Sequence, residues 1–126
     1  MCESLGFGVL IGKTIKSITG IDNDNIYIQT ETGDCFNIYH AQGCCEYVRV
    51  WDTVGNLQDI IGSKILSASE YCDDKPDDVD YESYDSYTWT IYEIVTDKGK
   101  FTIRWLGESN GYYGETPYFM RSHAIM

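Results

Sequence analysis

The densest group of reactive side chains in this 126-residue chain is His40, followed after a three-residue gap by Cys44, Cys45 and Glu46. Thiolates and an imidazole are donors that zinc prefers, yet a structural zinc site needs four ligands, usually delivered as two paired half-sites. Only one half-site is visible, and Cys35, Cys72 or His123 would have to complete it. The same residues could serve nucleophilic catalysis, with His40 as the base and Glu46 orienting it. The preferred reading is plainer: Cys44 and Cys45 pack as small hydrophobes and His40 makes a polar contact at a strand end. No catalytic residue is assigned and no cofactor is expected. A Cys/His enzyme or zinc protein centred on His40, Cys44 and Cys45 stays as a remote alternative.

A second group makes a different offer. Arg104 and Trp105 are followed by Ser109, Asn110, Gly111, Tyr112 and Tyr113. A strand would deliver a cation and a flat ring, and the next loop would add a hydroxyl, an amide and two more rings on a glycine hinge. That set suits a planar, hydrogen-bonding or phosphorylated small molecule. The expected ligand-binding residues are Arg104, Trp105, Ser109, Asn110, Tyr112 and Tyr113, with His40 from the other segment. The competing reading is a packed aromatic core, with Arg104 in an ion pair and Ser109-Asn110-Gly111 as a turn. Asp22-Asn23-Asp24-Asn25 opens like a calcium loop but lacks the glycine and closing glutamate of that motif, so it reads as a turn. No nucleophile-elbow, phosphate-loop, dinucleotide or zinc-protease motif gives an enzyme reading an anchor.

The elements that must position these groups read as strands. Alternating, β-branched or aromatic runs recur at 14–18, 26–29, 36–39, 47–51, 88–95 and 101–105. Thr32-Gly33-Asp34 and Asp97-Lys98-Gly99 each predict the turn of an antiparallel hairpin, with glycine supplying positive φ. Leu57-Gln58-Asp59-Ile60-Ile61, stopped by Gly62, predicts one short helical turn. The expectation is one mainly β domain over residues 1–126, built from two antiparallel hairpin units.

Those units resemble each other. Gly12-Lys13-Thr14-Ile15-Lys16-Ser17 parallels Gly62-Ser63-Lys64-Ile65-Leu66-Ser67, and Ile28 to Gly33 parallels Ile94 to Gly99. Phe36-Asn37-Ile38-Tyr39-His40 then matches Phe101-Thr102-Ile103-Arg104-Trp105. The pattern suggests an internal repeat in which His40 and Trp105 are equivalent, each opening an irregular segment.

Between the units lies an insertion, about 70–86, in which Glu70 to Asp85 holds eight acidic residues against the single Lys75. Most of the formal charge of -11 therefore sits in one loop. Such a chain repels phosphate backbones, so direct nucleic-acid binding is not expected. The insertion also carries Tyr71, Tyr81 and Tyr84, with Tyr87 just beyond, a mixture that could dock on a basic host protein. The five cysteines have no framework spacing and fit free thiols in a reducing compartment. Neither a membrane span nor a signal peptide is read from the first residues, and a cytoplasmic protein of a bacterial cell is expected.

Tyr39-His40 with Cys44-Cys45-Glu46, Leu57 to Gly62, Tyr87-Thr88-Trp89-Thr90 and Arg104 to Tyr113 resemble a domain-of-unknown-function family associated with phage and prophage genomes. The resemblance implies no activity, but it implies a setting in which small proteins without enzyme motifs act as counter-defence factors. The function expected is non-enzymatic: binding or sequestering a small nucleotide-like ligand. The alternative is an acidic, nucleic-acid-mimicking inhibitor of a host defence protein.

Overall fold

Residues 6–40, 46–72, 86–109 and 115–122 are described by the computed structural model. After a 3-10 turn at Phe7–Leu10, the strands are β1 (Ile15–Thr19), β2 (Asn25–Thr30), β3 (Cys35–Tyr39), β4 (Tyr47–Val54), β5 (Ile65–Cys72), β6 (Ser86–Thr96), β7 (Lys100–Ser109) and β8 (Tyr118–Ser122). A one-turn helix, α1 (Leu57–Ile60), precedes β5, and its start is capped by the Asn56 side chain, which accepts from the Gln58 N–H. The strands form two antiparallel four-stranded sheets, ordered β1-β2-β3-β8 and β4-β7-β6-β5, and the protein is mainly β as its patterning predicts. Among the described residues no helix is long and apolar enough to cross a membrane.

Period-2 alternation explains the packing. Ile26 and Ile28 of β2, Phe36 and Ile38 of β3, Tyr92 and Ile94 of β6, and Phe101, Ile103 and Trp105 of β7 all enter one core. Each such side chain contributes about 1.5–3 kcal/mol on burial. The residues between them on β7, namely Thr102, Arg104, Leu106 and Glu108, lie on the opposite face of that sheet.

The internal repeat is present in the backbone. Gly12 N–H donates to the Ile65 carbonyl (2.8 Å) and Gly62 N–H to the Ile15 carbonyl (2.7 Å), while Ile15 N–H donates to Ser63 (3.1 Å) and Ile65 N–H to Lys13 (2.8 Å). These bonds interchange under a shift of 50 residues and flank the Thr14–Lys64 bridge, as a local two-fold axis requires. The register slips between Ile15 and Ser17 in one unit and between Ile65 and Ser67 in the other. The two hairpin turns are built alike, since Thr30 Oγ1 accepts from Asp34 N–H (3.2 Å) and Thr96 Oγ1 accepts from Lys98 and Gly99 N–H (3.1 and 3.2 Å). Gly33 has the expected positive φ of 94°, but Gly99 has no positive φ: the Thr96 hydroxyl shapes that turn instead.

The fourth strands are exchanged between units. β3 pairs with β8, and β7 pairs with β4, so each sheet is completed by a strand that the other unit precedes or follows. Two strands, β5 and β8, were not among the runs read from the sequence, and β7 continues to Ser109 instead of ending at Trp105. The equivalence of His40 and Trp105 as openings of irregular segments therefore fails: β3 ends before His40, whereas Trp105 sits inside its strand. The calcium-like segment is a turn, as read. Its Asp24 has φ 57°, and its carboxylate accepts from Val50 N–H at 2.8 Å.

Candidate functional site

Strand exchange brings the ends of the two irregular segments together. His40 follows β3, Glu46 precedes β4, and Glu115 and Thr116 lead into β8. The His40 and Glu46 side chains are 2% and 5% exposed, with Nε2 bonded to Glu46 Oε2 at 2.9 Å. Nδ1 lies 2.9 Å from the Thr116 carbonyl, and the Tyr118 ring stacks on the imidazole at 5.5 Å. Both ring nitrogens thus face oxygen acceptors. Both ring contacts are hydrogen bonds with a proton on each nitrogen, or with the Glu46 carboxyl protonated. His40 in this arrangement offers no nitrogen to a metal or a thiol; Cys44 and Cys45 lie outside the described residues. Cys35 is buried and Cys72 is exposed, and partial burial raises the Cys72 thiol above its usual value, the reverse of an activated nucleophile.

Beside this pair, Glu115 accepts from Ser109 Oγ (2.5 Å) and Thr88 Oγ1 (2.8 Å). Its backbone crosses β7 so closely that a Cβ on Gly107 would overlap the Glu115 carbonyl. Nothing in the sequence pattern announced that approach except a glycine inside a strand. The crossover end is a buried, bonded polar seam that fixes the exchanged strands.

The expected ligand residues that are described, Arg104, Trp105, Ser109 and His40, are not brought together on one open surface. Arg104 and Trp105 are strand neighbours, so their side chains leave opposite faces of the sheet. Trp105 is fully buried in the core, with its Nε1 lacking a partner among the described residues, and cannot stack on a ligand from solvent. Ser109 is a buried strand residue bonded to Glu115, and His40 is buried in its own pair. Asn110, Tyr112 and Tyr113 lie outside the described residues, as does the acidic stretch from 73 to 85.

Arg104 instead belongs to a surface that the sequence reading missed, the outer face of the second sheet. It bonds Asp52 through both Nε (2.6 Å) and Nη2, and its guanidinium lies 5.5 Å from the Trp89 ring centroid. A register shift between Val50 and Asp52 in β4 supplies an extra residue, letting Trp51 and Asp52 serve the same face. Trp51 meets Trp89 edge-on at 5.7 Å. Along β4, the Arg49 guanidinium lies 4.3 Å from the Tyr47 ring and 5.6 Å from Trp51, and bonds Glu108 at 2.7 Å. Tyr47 is 54% and Trp51 38% exposed, so the arrangement ends in open rings. The signal available in the sequence was the alternation Tyr47-Arg49-Trp51, which puts those three on one face of a strand.

The described geometry is that of a two-sheet β protein with an arginine–aromatic face and a buried polar seam. The chain belongs to the family described as a domain of unknown function (DUF7448), whose model matches residues 9–119. No curated protein and no solved structure matches it significantly.

Proposed function

We propose that the domain is a non-catalytic binding protein whose recognition surface is the Tyr47–Arg49–Trp51–Arg104 face, with the buried Trp89 ring behind Arg104 as support. The carrying observation is that two guanidinium groups lie over aromatic rings on one side of a sheet, beside rings that are open to solvent. Such a surface can stack a planar ring and donate hydrogen bonds to its edge, which fits a nucleotide-like small molecule. Asp52 and Glu108 hold the guanidinium groups in place, so a bound phosphate would have to share them. The resemblance to phage and prophage sequences adds the setting: sequestration of a nucleotide immune signal in an infected or lysogenic cell.

Calorimetry with a panel of mono-, di- and cyclic nucleotides tests the reading. Trp51→Ala and Arg104→Ala should each weaken binding by at least about tenfold. Saturable binding that survives both substitutions would remove the proposed surface.

A second reading rests on the neutralised state of both arginines. Tyr, Trp and Arg in a charge-balanced array is also the composition of a protein-interface hot spot. Together with the acidic insertion, it would describe an inhibitor of a host protein. Deleting residues 73 to 85 separates the two, because the inhibitor loses its partner and the ligand binder keeps its ligand.

A further inference from the structure

Away from the arginine–aromatic face, the β1–β2 connection and the β4–α1 connection border an open cleft of about 730 Å³. Ile18, Phe101 and half-buried Ile21 and Leu57 supply its apolar lining, and the first two are core residues, so the cleft opens onto the edge of the core itself. Thr19, Asp22, Asn23, Thr53 and Asn56 are the exposed polar residues around it. Asp22 is the one charged residue in the lining, and among the described residues its carboxylate has no ion-pair or hydrogen-bond partner.

The cleft walls are preformed. Gly20 and Gly55 both line it in the left-handed region, at φ 86° and 106°. A Cβ at Gly20 would overlap the Asn25 carbonyl, and one at Gly55 would overlap the Lys100 carbonyl. Each connection is thus pressed against its neighbouring backbone by a residue that only glycine can be, leaving little freedom to collapse into the space.

We infer that this cleft is a second binding site, for a small organic ammonium carried on an apolar body. The size is that of small-molecule pockets, the apolar lining takes the body, and a lone carboxylate with no lysine or arginine in the lining favours a cation over an anion. This preference is opposite to that of the arginine-bearing face, so the two sites would take different ligands.

Benzylammonium, benzyl alcohol and benzoate share a ring and differ in charge. They can be titrated into the full chain at neutral pH while backbone amide resonances are followed by NMR. Benzylammonium should give saturable shifts at Gly20, Asp22, Gly55 and Leu57, with an affinity about fivefold above benzyl alcohol and benzoate weakest. Asp22→Asn, an exposed change, should bring benzylammonium to the level of benzyl alcohol while the Leu57 shift persists. The inference is overturned if benzylammonium gives no saturable shift at these amides, if benzoate binds as well, or if Asp22→Asn leaves the order unchanged.

Discussion

Replacing Gly107 by alanine adds one methyl group and should cost the protein about 3 kcal/mol. The site is in β7 with no positive φ, so the penalty is steric and not torsional. The new Cβ overlaps the Glu115 carbonyl, which is backbone and cannot rotate away. Forcing atoms into a packed contact costs about 1–3 kcal/mol. Moving Glu115 also strains the bonds that its carboxylate accepts from Ser109 and Thr88, each worth about 1.5 kcal/mol as bonds to a charged group. Against this, alanine restricts the unfolded chain and returns roughly 0.5–1 kcal/mol. The net loss, about 3 kcal/mol, corresponds to a fall in melting temperature of roughly 10 °C for a domain of this size. Urea unfolding and thermal melts measure it. The imidazole resonances of His40 should shift in the same variant, because Thr116, whose carbonyl the ring faces, is the next residue along. Gly12→Ala is the contrast: its φ is 89° with nothing within 4 Å, so it should lose only about 1–2 kcal/mol and leave His40 undisturbed. A Gly107→Ala protein as stable as the parent, with unshifted His40 signals, would refute the reasoning about the crossover seam.

Other outcomes follow from the same contacts. His40→Ala removes the bond that the buried Glu46 carboxylate shares with Nε2 and should lower stability by about 1–3 kcal/mol in urea titrations. The hydrogen bond from Lys13, helped by Thr32 and Arg121, holds the Asp34 carboxyl below its ordinary value. Its contribution is therefore full above the usual carboxylate range and disappears as pH falls through the lowered value. The melting-temperature gap between parent and Asp34→Asn should accordingly close as the pH is taken down through and below the usual carboxylate range. Burial, reinforced by Glu70, pushes the Tyr92 phenol far above its usual range, so alkaline titration monitored by absorbance should leave Tyr92 neutral until the protein unfolds. Thr30→Val and Thr96→Val remove equivalent turn hydroxyls and should cost similar amounts, roughly 1 kcal/mol each; strongly unequal losses would speak against equivalent turns.

What the sequence by itself determined is local. β-branched alternation and two turn motifs set the mainly β class, the two central hairpins and the single helical turn. The matching strings at 12–17 and 62–67 disclosed the repeat, because each encodes the same edge and the same bulge. The acidity of the 70–85 stretch was equally plain. Alternation also contained the fact that Arg104 and Trp105 face opposite ways, and that was legible once β7 was known to run past Trp105.

Tertiary structure decided the rest. β3 pairs with β8 and β7 with β4 across long sequence separations, and no local pattern specifies which unit receives a fourth strand. From that exchange come the His40–Thr116 contact and the passage of Glu115 over Gly107. The register slip in β4 likewise put Asp52 beside Arg104, turning an arginine read as a ligand clamp into part of a wider face with Trp51 and Trp89. Spacing along a strand tells which side a residue takes, whereas only the pairing of strands tells what stands opposite it.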